Sequence, residues 1–353
     1  MIPAMKHVLR FLAFVTLSIS LAPTVVAAEW GPLEILDARV APGEKAQLSF
    51  IEEQSFIKEA LDIQVFVARG AQAGPTLCLT AAVHGDELNG VEIARSVFER
   101  SDPATLSGTL ITLPIVNVWG FRSGNRYLAD RRDLNRAFPG SQTGSMAGRI
   151  AFVLFEYVIR HCDVLVDLHT GSDDRTNLPQ IRADLDIPAV FELAKRFGIG
   201  VVMGGAGPAG SLRAEANAAG ITAIIYEAGG PGRFQQDEID RGIEGVINVM
   251  EYLRLVGDSP PEPDPQRVFS STRWVRAVGG GIFMSRLEPG AQIQAGEQLG
   301  VVTDPITNER FVIEAPISGT LVGMAYPQVV LPGMGLFHIA RHERGPIEPA
   351  SDE

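Results

Sequence analysis

Between residues 76 and 255 this 353-residue chain alternates short, continuously apolar runs with longer segments that carry apolar residues at helical spacing, and this alternation constrains its fold most. The runs at 76–83, 110–118, 163–168, 200–203 and 221–226 are rich in aliphatic and β-branched residues. They are too short for stable helices and apolar at nearly every position, which is the pattern of strands buried on both faces. The segments at 91–100, 144–160, 190–197, 212–219 and 237–255 have the helical period. Strands alternating with helices predict an α/β fold with an open, mixed, mostly parallel sheet and flanking helices. Residues 30–70 read as short strands and turns leading into it.

The pattern changes at the C-terminal end. Residues 257–265 contain Pro260, Pro261, Pro263 and Pro265, which favour neither helix nor ladder, and read as a linker. Six short β-like runs separated by Gly and Pro turns follow, predicting a small all-β domain over 266–341 and a tail over 342–353. At the other end Lys6 and Arg10, the apolar run 11–22 and the small residues Ala27 and Ala28 form the pattern of a secretory signal peptide over 1–28. The expectation is therefore a main domain over 29–256 in a periplasmic or secreted protein, with no membrane span left after signal cleavage. Cys78 and Cys162 fall on neighbouring predicted strands, and a disulfide or two buried thiols both fit.

Composition bounds the partners. With 46% hydrophobic and 20% charged residues the chain can bury a sizeable core. Its net charge of -12 argues against a nucleic-acid partner. An anionic ligand needs a local cluster of arginines, and residues 126–136 supply one in Arg126, Arg131, Arg132 and Arg136, with Asn135 among them.

The chemistry is suggested by where the histidines stand. His84 and His169 each follow an apolar strand and precede a glycine-containing turn, at the carboxyl ends of strands where open α/β sheets bind ligands. Glu87 lies three residues after His84 across a tight turn. Two histidines and one carboxylate are the ligand set of a catalytic zinc site. Glu227, also at a strand end, is placed to serve as the general base that hydrolysis requires. His161, His338 and His342 have no comparable setting.

Four segments taken together, His84-Gly85-Asp86-Glu87, Asp133-Leu134-Asn135-Arg136, Asp167-Leu168-His169 and Tyr226-Glu227, resemble in order and spacing the succinylglutamate desuccinylase/aspartoacylase family of the zinc carboxypeptidase clan. The resemblance implies that His84, Glu87 and His169 hold one zinc ion and that Glu227 is the general base. It also implies that Asn135 and Arg136 bind substrate, and that Arg126 lies near the scissile carbonyl or a substrate carboxylate. The C-terminal unit resembles the biotinyl/lipoyl-like β fold, but no lysine lies beyond Lys195, so it carries no lysine-linked cofactor and is expected to wall the active-site mouth or mediate association.

The expected activity is metal-assisted hydrolysis of an amide or ester in a small, carboxylate-bearing, N-acyl amino acid-like substrate. A periplasmic zinc carboxypeptidase acting on peptides and a non-catalytic metal- or ligand-binding protein are the alternatives. Assaying peptides against N-acyl amino acids separates the first two, and ligand bound without hydrolysis marks the third. A homo-oligomer is compatible with all of them.

Overall fold

The computed structural model of the chain describes residues 30–50, 62–257, 262 and 265–341. The expected signal peptide, the 342–353 tail and most of the Pro-rich stretch lie outside these residues.

The chain opens with a two-stranded ribbon of β1 (Leu33–Ile35) and β2 (Ala38–Val40), then runs through β3 (Glu44–Phe50), β4 (Ile63–Arg69) and β5 (Gln72–Ala81). Helices and strands alternate from there: α1 (Asn89–Arg100), β6 (Ser107–Leu113), α2 (Val118–Ser123), α3 (Met146–Tyr157), β7 (Val164–His169) and β8 (Arg175–Ala183). Next come α4 (Pro188–Phe197), β9 (Val201–Gly204), α5 (Leu212–Ala218), β10 (Thr222–Gly229) and α6 (Gln236–Tyr252). The remainder is strand: β11 (Arg267–Phe269), β12 (Ser271–Arg276), β13 (Gly281–Met284), β14 (Gln292–Ile293) and β15 (Gln298–Thr303). The last four are β16 (Arg310–Glu314), β17 (Gly319–Ala325), β18 (Gln328–Val330) and β19 (Gly335–Arg341).

The predicted apolar runs form the middle of a mixed sheet. Strands β6, β5, β7 and β10 lie side by side and parallel. Alternate residues feed two cores. Leu77, Leu79, Val166, Leu168 and Ile224 pack with α1, α4 and α6, while Cys78, Ile111, Leu165 and Ala223 pack with α3 and α5. Burying each such aliphatic side chain contributes ~1.5–3 kcal/mol, which is why a run apolar at every position settles at the sheet centre. Cys78 and Cys162 are joined as a disulfide with a Cα–Cα distance of 5.8 Å, tying β5 to the residues that enter β7.

The flanks are antiparallel. Strand β4 pairs with β6, β3 with β4, and β8 with β10. The connection from β7 to β8 spans only residues 170–174, too short for the crossover that parallel pairing would need. Strand β8 escapes a reading by periodicity because it is polar and only partly buried, carrying Arg175, Asn177, Gln180 and Arg182. The apolar run 110–118 ends as strand at Leu113, because Pro114 follows and Asn117 then caps α2 by accepting from Gly120 N at 2.8 Å.

The C-terminal strands make two antiparallel arrangements. Strands β13, β15, β16 and β18 form a four-stranded sheet. Strand β17 pairs antiparallel with β8, β19 with β17 and β12 with β19, so the large sheet runs on to thirteen strands among the described residues. The hydrogen bonding therefore continues past the Pro-rich stretch and brings C-terminal residues beside β8. Among the described residues no helix is long and apolar enough to cross a membrane.

Candidate active site

The parallel strands β5, β7 and β10 end at one edge of the sheet. Leu168 pairs with Ala81 on one side and Tyr226 on the other, and His169 pairs with Glu227. Register partners in adjacent strands project to the same face, so His169 and Glu227 share a side of the sheet. Beyond β5 the chain bends sharply, with Ala82 at φ +46°. That left-handed conformation costs a non-glycine residue ~1–2 kcal/mol. Gly85 completes the turn: a Cβ there would lie 2.0 Å from the carbonyl carbon of Gly120, so residue 85 passes against α2 only without a side chain.

This turn delivers His84 and Glu87 to His169. Glu87 is buried, with Oε1 2.7 Å from His84 Nδ1 and Oε2 2.7 Å from His169 Nδ1. Its carboxylate also accepts from Thr170 N at 3.0 Å and from the Ser172 hydroxyl. The outer imidazole nitrogens have carboxylates of their own. His84 Nε2 lies 3.2 Å from Asp133 and His169 Nε2 lies 2.8 Å from Asp167, which in turn accepts from Thr80 Oγ1 at 2.7 Å. Arg126 donates to Asp133 at 2.8 Å and stands 3.6 Å from Glu87.

Burial opposes the charges on His84, Glu87, Asp133, His169 and Arg126, yet mutual pairing prevails. Beside His84 and His169 the Glu87 carboxyl is held well below the usual range, and Asp133 is lowered by His84 and Arg126. His84 is raised by Glu87 and Asp133, and His169 is raised well above the ordinary imidazole value by Asp167 and Glu87.

These residues fit a divalent cation. One ligand atom from each of His84, Glu87 and His169 falls within 4.8 Å of the others, all on buried residues. The Nδ1 atoms of both imidazoles converge on the Glu87 carboxylate, so the three donors surround one point. Carboxylates at Nε2 keep the proton there and leave the Nδ1 lone pairs for an ion, the usual support of a metal-binding imidazole. Replacing Asp167 by Asn keeps the shape and removes the charge behind His169. The expected result is a ~10–100-fold loss of metal affinity with the fold retained. Competition with a chromophoric chelator measures it, and unchanged affinity would show that Asp167 does not support the ligand.

A cavity of about 350 Å³ opens onto the cluster, lined also by Arg126, Asn135, Arg136 and Glu227. Glu227 pairs with Arg182 across the β8–β10 ladder at 2.9 Å and accepts from Asn177.

Residues 73–253, more than half of the chain, match the succinylglutamate desuccinylase/aspartoacylase catalytic domain. The chain belongs to this family. It is 24% identical over 285 residues to the N-alpha-acetyl-L-2,4-diaminobutyric acid deacetylase of Halomonas elongata, covering 77% of this chain and 83% of that one. Its fold is that of an ectoine utilization protein from Ruegeria pomeroyi, solved with product bound, at a TM-score of 0.76 and 23% identity, covering 83% and 93% of the two chains. It is equally close to a succinylglutamatedesuccinylase/aspartoacylase from Rhodobacter sphaeroides, at a TM-score of 0.77 and 22% identity, covering 86% and 98%.

In this desuccinylase/aspartoacylase-family chain the tertiary structure brings all seven sequence-selected residues to one cavity. Arg131 and Arg132, from the same arginine cluster, are exposed and do not line it. Asn135 is buried, and its Oδ1 accepts from Leu212 N at 2.8 Å, capping α5. Arg175, Arg182 and Arg213 line the cavity without having been selected. The C-terminal strands add Thr272, Trp274 and His338. His338 stacks on Trp274 with centroids 4.4 Å apart, and burial pushes its imidazole down to about 3, so it is neutral at neutral pH. Only the unexpected polar strand β8 signals the first two arginines in sequence, and nothing local signals Arg213 or His338.

Proposed function

We propose that this chain is a zinc-dependent deacylase that hydrolyses the amide of an N-acyl amino acid. The observation that carries this reading is the buried His84–Glu87–His169 cluster facing the same cavity as Glu227. His84, Glu87 and His169 would hold the ion. When bound, zinc supplies Lewis acidity that polarises a carbonyl and acidifies water.

The chain's own groups supply the rest. Glu227, held by Arg182 and Asn177, takes a proton from water on a carboxylate oxygen and returns it to the leaving amine. Arg126 directs its guanidinium toward the cluster, where it stabilises negative charge developing on the carbonyl oxygen. Arg136 offers N–H groups to the substrate's α-carboxylate. The Halomonas deacetylase supports amide cleavage over peptide trimming. The signal-like N-terminus and the Cys78–Cys162 disulfide support an exported, periplasmic location, since such bonds persist in oxidising compartments.

Metal analysis of the purified protein together with a panel of N-acyl amino acids tests this reading. The expected outcome is one divalent cation per chain, hydrolysis abolished by a strong chelator, and recovery on adding zinc. Protein without stoichiometric metal that still hydrolyses the panel would overturn the metal-assisted reading.

A further inference from the structure

The C-terminal four-stranded sheet runs β16-β15-β13-β18, which leaves β16 at an edge, paired with β15 alone among the described strands. Its sequence is Arg310-Phe311-Val312-Ile313-Glu314. Successive side chains alternate between the two faces of a strand. Phe311 and Ile313 pack into the C-terminal core, while Arg310, Val312 and Glu314 stand exposed on the outer face. Among the described residues neither Arg310 nor Glu314 has an ionic partner.

The backbone of the same three residues also points outward. Glu309 O accepts from Asp304 N at 2.9 Å, and Ala315 N donates to Glu297 O at 2.9 Å. Antiparallel ladders alternate bonded and unbonded pairs, so 309, 311, 313 and 315 bond toward β15. Residues 310, 312 and 314 therefore turn their N–H and C=O groups away from it. Such a row is a template for another strand, and protein edges usually blunt it with proline or lysine. Residues 310–314 contain neither.

The outer face beside this edge is apolar. Val312 pairs with Val301 and Val301 with Met284, making a row across three strands whose ends are 50% and 58% exposed. Ile282 and Val329, register partners on β13 and β18, are exposed beside it. Contiguous exposed apolar surface marks a contact site.

The edge is complementary to a reversed copy of itself. A twofold interface brings residue i of one subunit to j of the other, and j to i. Antiparallel pairing about Val312 matches the outward-facing groups of 310, 312 and 314 with one another. It sets Val312 against its own counterpart, and Arg310 of each copy against Glu314 of the other. Opposite charges and β-branched residues placed directly across from each other stabilise a strand pair. Moving the twofold to Phe311 or Ile313 would instead set Val312 opposite a charge.

We infer that two copies of this chain join edge to edge through β16, antiparallel about Val312, merging their four-stranded sheets into one continuous sheet. The row Met284–Val301–Val312 then runs on into the same row of the second copy. The inference is independent of the deacylase reading, because no residue of β16 lines the catalytic cavity.

Sedimentation velocity of the full chain over a concentration series tests it. Contact along one strand is smaller than a standard interface of ~1,600 Å², so a dimer with Kd in the ~μM range is expected. Arg310→Glu sets acidic residues opposite each other at both ends of the pairing, and Glu314→Arg sets basic ones there. Each weakens the dimer ~10-fold, and the double variant restores it. Val312→Pro removes an N–H that β15 does not use, so it gives a monomer with the wild-type circular dichroism spectrum. A wild type that stays monomeric up to ~1 mM overturns the inference. So does a dimer that survives Val312→Pro, and so does a double variant that melts like the wild type without recovering the dimer.

Discussion

In Glu227→Gln, turnover falls ~10²–10⁴-fold, the range that general acid–base catalysis contributes, while metal content stays at the wild-type level. The separation follows from position. Glu227 neighbours His169 across the β7–β10 ladder but stands outside the His84–Glu87–His169 set, so an amide in its place removes the proton acceptor and leaves the ligands intact. The substitution also takes away the partner of Arg182. That pair is partly solvent-accessible, with side chains 32% and 14% exposed, so its contribution to stability is expected within ~1 kcal/mol. Steady-state kinetics with metal analysis on the same preparation decide the matter. Wild-type turnover in the variant would remove Glu227 from the mechanism, and loss of metal would make it a structural support of the cluster instead.

Replacing both cysteines, Cys78→Ala with Cys162→Ala, destabilises the protein by ~3 kcal/mol, with loop closure setting an upper figure of about 4.5 kcal/mol for the observed sequence separation of 84 residues. Both positions are buried in the core beneath α3 and α5, so the deletion also loosens packing there. For a chain of this size the change corresponds to a fall in Tm of ~5 °C. Thermal unfolding of the wild type with and without reductant, beside the double variant, checks it. Equal melting of oxidised and reduced wild type would show that the bond adds nothing to stability.

Arg213 and the C-terminal residues Thr272, Trp274 and His338 extend the same cavity beyond the His84–Glu87–His169 cluster. Under the proposed deacylase reading the matched motifs act at the scissile amide, and selectivity depends on what surrounds them. Here that surround combines a glycine loop, the buried Arg213 on α5, and a stacked Trp274–His338 pair on β12 and β19. The C-terminal strands reach the cavity because β17 hydrogen-bonds to β8, the strand that also carries Arg182.

What was readable in the chain follows a physical divide. Runs such as 76–83 and 163–168 identify themselves because a strand covered on both faces must be apolar throughout, and residues that follow such runs must emerge at the sheet edge. His84, Glu87, His169 and Glu227 could therefore be placed from local pattern and order alone. Strand β8 could not, since it faces a polar cavity and obeys no apolar period. The same holds for His338, an ordinary strand residue until β19 is laid against β12 and Trp274 covers its ring. Local sequence determined which continuously apolar runs become central strands and which side chains stand at their ends, because both depend on short-range periodicity. Only the tertiary structure decided which carboxylate meets which imidazole, that Cys78 reaches Cys162, and that Arg213 is buried against Gly205 in the same cavity, because those outcomes depend on distances between residues far apart in the chain.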